Sequence, residues 1–307
     1  MTQELRFGVG PLPNLSWEEL VRCFNHIEEL GFDNALIGDH FVNMANPLDP
    51  WFESWTLIAA LAVKTTHIRI GIGVSPITWR NPAFLARQAL TVDHISNGRL
   101  ELGLGTGLTS DPGHAMTGIP NWAPNERVAR FREYVEIVDQ LLCNKITTYE
   151  GHFYNIKGAI MNPRPIQKPR PPIMIAAFGE AMLKYPAHYA DIWSSAGSNT
   201  DKFAELTRKR NNLLDRYCED IGRDPSSLRR SYLEWETDVS WKGGLMSIFK
   251  SEENFREMIK RFVGVGINEF FFLYPYRKEQ LPVFEKVARE VIPELKDQYN
   301  SSRNTNY

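Results

Sequence analysis

Two short β-rich runs flank a helical stretch within residues 68–107. The first reads Ile68-Arg69-Ile70-Gly71-Ile72-Gly73-Val74 and the second Arg99-Leu100-Glu101-Leu102-Gly103-Leu104-Gly105-Thr106-Gly107. Between them, the chain ending in Thr91-Val92-Asp93-His94-Ile95-Ser96 has helical character. Strand, helix and strand in this order make a βαβ unit, which commits the chain to an α/β layer architecture. Each run also ends in small residues, so backbone rather than side chain reaches the strand ends. Parallel α/β proteins present their ligands there.

The alternation extends over the whole sequence. A strand at 5–10 is closed by Pro11 and Pro13, and Ser16 with Glu19 three residues on forms a capping-box pattern for a helix ending near Leu30-Gly31. Residues 32–37 give a second strand with the exit Gly38-Asp39-His40-Phe41, and 51–64 a second helix. After the 68–107 unit comes a Gly/Pro-rich insertion at 108–124, a helix to 142 and a hairpin at 147–156 turning at Glu150-Gly151. Five prolines make 163–172 an extended linker. Further strands are expected at 173–177, 191–195, 231–239 and 269–273. Helices are expected from about Glu180, at 201–221, 252–263 and 279–295, with a polar, frayed tail at 297–307.

Eight strand–helix pairs predict a closed (β/α)8 TIM barrel as a single domain over residues 1–307. Its insertions fall at the C-terminal strand ends, where long connections are usually functional. The 108–124 segment and a loop around 241–249 are therefore expected to line or cap a substrate entrance. An open dinucleotide-binding sheet fits less well. Gly8-Val9-Gly10-Pro11-Leu12-Pro13 lacks the third glycine of G-x-G-x-x-G and places prolines where the helix should start.

Several function classes are disfavoured. A formal charge of −2 gives no basic stripe for nucleic acid. No run of about 18 apolar residues suggests a membrane span, and the N-terminus resembles no secretory leader. Three cysteines without framework spacing suit a reducing cytoplasm. The histidines show no metal-ligand spacing, so no metal is expected. A nucleophile elbow and a phosphate-binding P-loop are both missing.

Among the strand ends, His40 is the one good proton-transfer candidate, since imidazole titrates near neutrality. The bland alternative is a histidine that only hydrogen-bonds a loop, and the place of His40 at a strand exit favours the functional reading. Asp39 is its neighbour, but adjacent strand residues face opposite sides and the two need not bond each other. Gly73, Val74 and Thr106 lie where backbone could approach a flat ring. Phe178, Gly179, Glu180, Ala181 and Met182 join a strand to a helix start, whose free N–H groups hold phosphate without basic side chains. Glu180 favours the helix dipole but would disfavour a phosphate against its own side chain. Trp79, Trp193 and Trp235 are candidate walls of an apolar substrate pocket.

These stretches together resemble the luciferase-like monooxygenase superfamily of flavin- and F420-dependent oxidoreductases. The resemblance is carried by Glu28-Glu29-Leu30-Gly31-Phe32-Asp33 with Gly38-Asp39-His40-Phe41, and by Pro50-Trp51-Phe52-Glu53-Ser54-Trp55. Thr91 to Gly107, Pro171 to Ala177 and Tyr189 to Trp193 continue it. It implies a barrel holding coenzyme F420 or FMN across the strand ends, a small organic substrate and a homodimer. It also implies a non-proline cis peptide at Gly73-Val74 beneath the ring, Asp39 and His40 beside it, and a phosphate-binding turn from Gly179 to Met182. F420-dependent hydride transfer is slightly favoured over FMNH2-dependent monooxygenation, and a non-catalytic flavin-binding protein is the reading from another class. The family's sugar-phosphate dehydrogenases carry a glutamate, a tryptophan and a lysine where this chain has Leu108, Met44 and Asn199, which argues against that substrate.

Overall fold

Inward and outward side chains alternate along the short strands of a barrel, and that alternation decides which residues fill its centre. A computed structural model describes residues 4–234 and 246–304. Its strands are β1 (Arg6–Gly10), β2 (Asn34–Ile37), β3 (Arg69–Pro76), β4 (Leu100–Gly105), β5 (Ile146–Glu150), β6 (Asn155–Ile160), β7 (Ile173–Ala176), β8 (Ile192–Gly197), β9 (Arg229–Glu234) and β10 (Glu269–Leu273). Eight of them close a parallel barrel in the order β1-β10-β9-β8-β7-β4-β3-β2, while β5 and β6 form a separate antiparallel hairpin. This closed barrel is the architecture expected from the sequence.

Helices α1 (Trp17–Glu29), α2 (Ser54–Lys64), α3 (Pro82–Ile95), α4 (Gly113–Thr117), α5 (Pro124–Cys143), α6 (Glu180–Tyr189), α7 (Asp201–Asp220), α8 (Glu252–Val263), α9 (Leu281–Lys286) and α10 (Ile292–Asn304) accompany it. In α1 the capping box forms as the sequence suggests. Ser16 Oγ accepts the Glu19 N–H while the Glu19 carboxylate accepts the Ser16 N–H. Leu20, Phe24 and Ile27, at helical spacing, then bury one face. α2 begins three residues later than expected because the Glu53 carboxylate caps the N–H groups of Trp55 and Thr56. That frees Trp51 to donate its indole N–H to the His40 carbonyl at 2.9 Å. At the other end, α10 continues to Asn304 through the polar stretch expected to fray, and Lys296 anchors it to Asp33 at 2.8 Å.

β10 shows the alternation plainly. Phe270 and Phe272 face the helical layer and pack on Phe7 and Phe255, with centroids 5.7 and 5.4 Å apart. Phe271 turns inward, joining Leu36, Met174 and Ile192 in a small inner core with Val74 and Leu233 against it. The inward positions of β3 and β4 carry glycine because neighbouring strands crowd there. A Cβ on Gly71 would strike the Glu101 carbonyl, and one on Gly103 the Ile72 carbonyl.

Below this inner core, at the N-terminal strand ends, a buried ionic layer closes the barrel. Arg6 bonds Glu101 at 2.7 Å and Glu269 at 3.2 Å, and Arg69 bonds Glu101 at 2.7 Å. Arg229 approaches Glu269 at 3.5 Å, and Asn34 donates to Glu101 at 3.1 Å. Burial works to raise the Glu101 pKa, but the charges and hydrogen bonds of Arg6 and Arg69 hold it below the usual carboxylate value. Glu269 has weaker support, and burial pushes its pKa up.

Candidate active site

The opposite end of the barrel carries the residues singled out from sequence. Beyond β2, the Asp39 side chain is buried and accepts from Ser75 Oγ at 2.8 Å. Arg80 grips the same carboxylate through both terminal nitrogens, at 2.5 and 3.2 Å. Ser75 is held in turn by the Trp55 indole at 2.9 Å. Burial pushes the Asp39 pKa up, against the pull of Arg80 and Ser75. This carboxylate is fully engaged by its neighbours, so it supports the strand ends more readily than it reaches a ligand.

His40 takes a different partner. Its Nδ1 lies 2.8 Å from Asp111 Oδ2, and 24% of its side chain remains exposed. Asp39 and His40 thus diverge, as expected of neighbouring residues. Burial works to raise the Asp111 pKa, but hydrogen bonds from His40 and the Gly113 N–H outweigh it and leave the pKa low. An ionised carboxylate can only accept, so this contact favours a proton on Nδ1.

The peptide between Gly73 and Val74 is cis, and the β3–β4 register shifts between Ile72 and Ser75. Val74 therefore leans over Gly103 and Gly105, where an added Cβ would meet its methyls. Thr106, half-buried after β4, gives its carbonyl to Arg127 Nη1 at 3.1 Å. At the α6 start, Phe178, Gly179, Glu180 and Ala181 are exposed and no side chain caps the helix. A Cβ on Gly179 would meet nothing within 4 Å. Met182 is buried in the core and can add only backbone to this turn. The uncapped N–H groups beside open space fit the phosphate tail of F420 or FMN.

Trp79 is half-buried at this end, donating to the Asp39 carbonyl at 3.2 Å with its ring 4.7 Å from His114. Trp193 does not line a pocket. Its neighbour Ile192 faces the barrel interior, so Trp193 turns outward, fully buried among the helices, with its indole on the Ala177 carbonyl at 2.9 Å. Trp235 lies outside the described residues, as does most of the 241–249 loop. Its described end, Met246, Ile248 and Phe249, is buried in the core.

Sequence reading missed Arg80, Ser75 and Asp111 as site residues. Asp111 sits in Ser110-Asp111-Pro112-Gly113, where turn chemistry accounts for an aspartate without further function. No group of His, Cys, Asp and Glu suited to a metal ion occurs among the described residues. Nor is any helix among them long and apolar enough to cross a membrane.

Residues 4–233 match the family described as luciferase-like monooxygenase. The chain is 30% identical over 214 residues to the F420-dependent glucose-6-phosphate dehydrogenase of Amycolatopsis mediterranei, covering 67% of this chain and 62% of that one. The match thus spans less than two thirds of this curated relative. The fold is shared with an F420-dependent secondary alcohol dehydrogenase bound to an F420-acetone adduct (TM-score 0.81, 16% identity, 94% of this chain and 100% of that one). It is also shared with a monooxygenase from Streptomyces bottropensis (TM-score 0.77, 21% identity, 95% and 100%).

Proposed function

The chain belongs to the luciferase-like monooxygenase family, and from that premise we propose that it is an oxidoreductase using coenzyme F420 to move a hydride to or from a small organic substrate. One observation carries this reading. His40, engaged by Asp111 through one nitrogen and partly exposed, shares the barrel mouth with the uncapped α6 start. The N–H groups at Gly179–Ala181 would hold the cofactor's phosphate, and the Glu180 side chain is exposed to solvent. Gly73, Val74 and Thr106 would offer backbone to its ring. When bound, the cofactor supplies the hydride acceptor or donor. His40 gives or takes the accompanying proton, and Asp39, with Ser75 and Arg80, holds the strand ends in register.

FMNH2-dependent oxygenation is the second reading, because the same uncapped turn accepts either phosphate tail and the fold is shared with a monooxygenase. Curated relatives named as F420-dependent favour F420. Glucose 6-phosphate is a poor candidate substrate. Asn199, where that activity would want a lysine, accepts a hydrogen bond from Arg261, and the apolar Leu108 is exposed where an acid would stand. A homodimer is what the family resemblance implies, and Val63 and Phe84, exposed on helices α2 and α3, are apolar side chains it would cover. Free thiols at Cys23, Cys143 and Cys218 suit the cytoplasm.

Titrating the full chain with F420 and with FMN, followed by fluorescence, tests the cofactor. F420 should bind more tightly. Preference for FMN would select the monooxygenase reading, and binding of neither would remove the catalytic claim. Phe84→Glu should shift the sedimentation coefficient to that of a monomer if the α2–α3 face pairs two copies.

A further inference from the structure

The connection after β4 brings a carboxylate to His40. Arg127, on α5 and only 2% exposed, ties this connection down at four points. Its Nε donates to the Trp122 carbonyl at 2.8 Å and its Nη1 to the Thr106 carbonyl at 3.1 Å. Its Nη2 meets Asn121 Oδ1 at 2.5 Å and His114 Nε2 at 3.0 Å. Inside the segment so fixed, Asp111 divides its two oxygens. Oδ1 accepts the Gly113 N–H at 2.8 Å and Oδ2 faces His40 Nδ1 at 2.8 Å. Glycine at 113 permits this approach, since a Cβ there would lie 2.8 Å from Phe41 Cβ. His40 is steadied independently by Trp51, which donates to its carbonyl and stands edge-on to the imidazole with ring centroids 6.1 Å apart.

We propose that Asp111 is the positioning residue of this site, fixing the His40 proton on Nδ1 so that Nε2 is the atom that exchanges a proton with substrate. This rests on the reading of His40 as the acid–base group. The hydrogen bond made by one ring nitrogen decides the state of the other. With Nδ1–H donated to a carboxylate, the neutral ring offers an Nε2 lone pair. A proton leaving a substrate hydroxyl passes to that lone pair, and the resulting imidazolium keeps its Nδ1–H bond to the Asp111 carboxylate. In the reverse direction the same N–H returns the proton. Asp111 itself does not change protonation state.

The division of oxygens makes Asp111→Asn a sharp test. The Gly113 N–H requires an oxygen, so the amide NH2 falls opposite His40 Nδ1, which must then accept. The proton is driven to Nε2 with almost no change in shape. The full chain with ¹⁵N-labelled histidine, at a pH where the ring is neutral, reports the tautomer through two-bond H–N spectra. His40→Gln assigns the signal. The native chain should show the Nδ1–H form and Asp111→Asn the Nε2–H form, with an unchanged melting temperature. Turnover should fall roughly 10²–10⁴-fold, as for loss of the acid–base group itself. An Nε2–H tautomer in the native chain overturns the proposal, and this needs no variant to fold. An unchanged tautomer in Asp111→Asn overturns it as well. Because the tautomer is read without cofactor or substrate, and cofactor titration of the same samples is read separately, failure here is distinguishable from failure of the F420 reading.

Discussion

The two ends of the barrel both set buried acids against basic side chains, and they differ in which basic group the acids hold. At the N-terminal end Arg6, Arg69 and Arg229 interlock with Glu101 and Glu269, and both carboxylates are 1% exposed. At the C-terminal end the acids are also buried, and the partners at both ends are partly exposed, but one of those at the C-terminal end is an imidazole rather than an arginine. Asp39 holds Arg80, and Asp111 holds His40, whose side chain is 24% exposed. A buried ionic cluster with perturbed pKa values is therefore no sign of chemistry by itself. The difference lies in whether the network ends on a titratable group that a ligand can reach.

Removing that group should have the largest effect. His40→Ala should lower the chemical step roughly 10²–10⁴-fold, the usual range for an acid–base group, with much less change in cofactor affinity. Single-turnover rates and binding titrations on the same preparation separate the two. Unchanged turnover with a lowered melting temperature would make His40 as structural as Glu101, and the contrast between the ends would collapse.

The reciprocal change belongs at the closed end. Glu101→Gln leaves Arg6 and Arg69 without their shared counter-charge and should cost about 3 kcal/mol in urea unfolding, while the rate per folded molecule stays the same. Its pH dependence has a definite sign. The folded Glu101 pKa lies below its ordinary value of 4.5, so its contribution is complete above 4.5 and is lost as the pH falls through the lowered value. Between those limits the Gln variant should lose less stability than the native chain. A variant that kept its stability but lost turnover would place chemistry at the wrong end.

The smallest effect is expected at the α6 start. Gly179 has φ −95° and ψ 153°, extended backbone that valine adopts readily, and its Cβ position is open. Gly179→Val should leave the melting temperature unchanged and weaken cofactor binding about tenfold, or about 1.4 kcal/mol. Undiminished affinity would show that the phosphate is held elsewhere.

Much of the fold was legible because it depends on local patterns. The 68–107 unit, the Ser16–Glu19 capping box and the β10 run at Glu269–Leu273 each carry their signal within a few residues. The candidate site was legible only at its strand ends. Asp39, His40 and Gly179 stand at positions that a barrel must present, so order along the chain was enough to find them. Trp193 was misplaced because the phase of a short strand decides which face a side chain takes, and one residue of phase reverses it.

By itself, the sequence determined a (β/α)8 barrel and the short set of residues at its mouth, because hydrophobic period, capping and strand-end glycines act over a few residues. Only the tertiary structure decided the partners. His40 meets Asp111 across 71 positions of sequence, and Asp39 meets Arg80 across 41. No local pattern encodes which acid reaches which base. That is set by closure of the barrel and by Arg127 pinning the connection after β4, where packing brings distant loops to hydrogen-bonding distance.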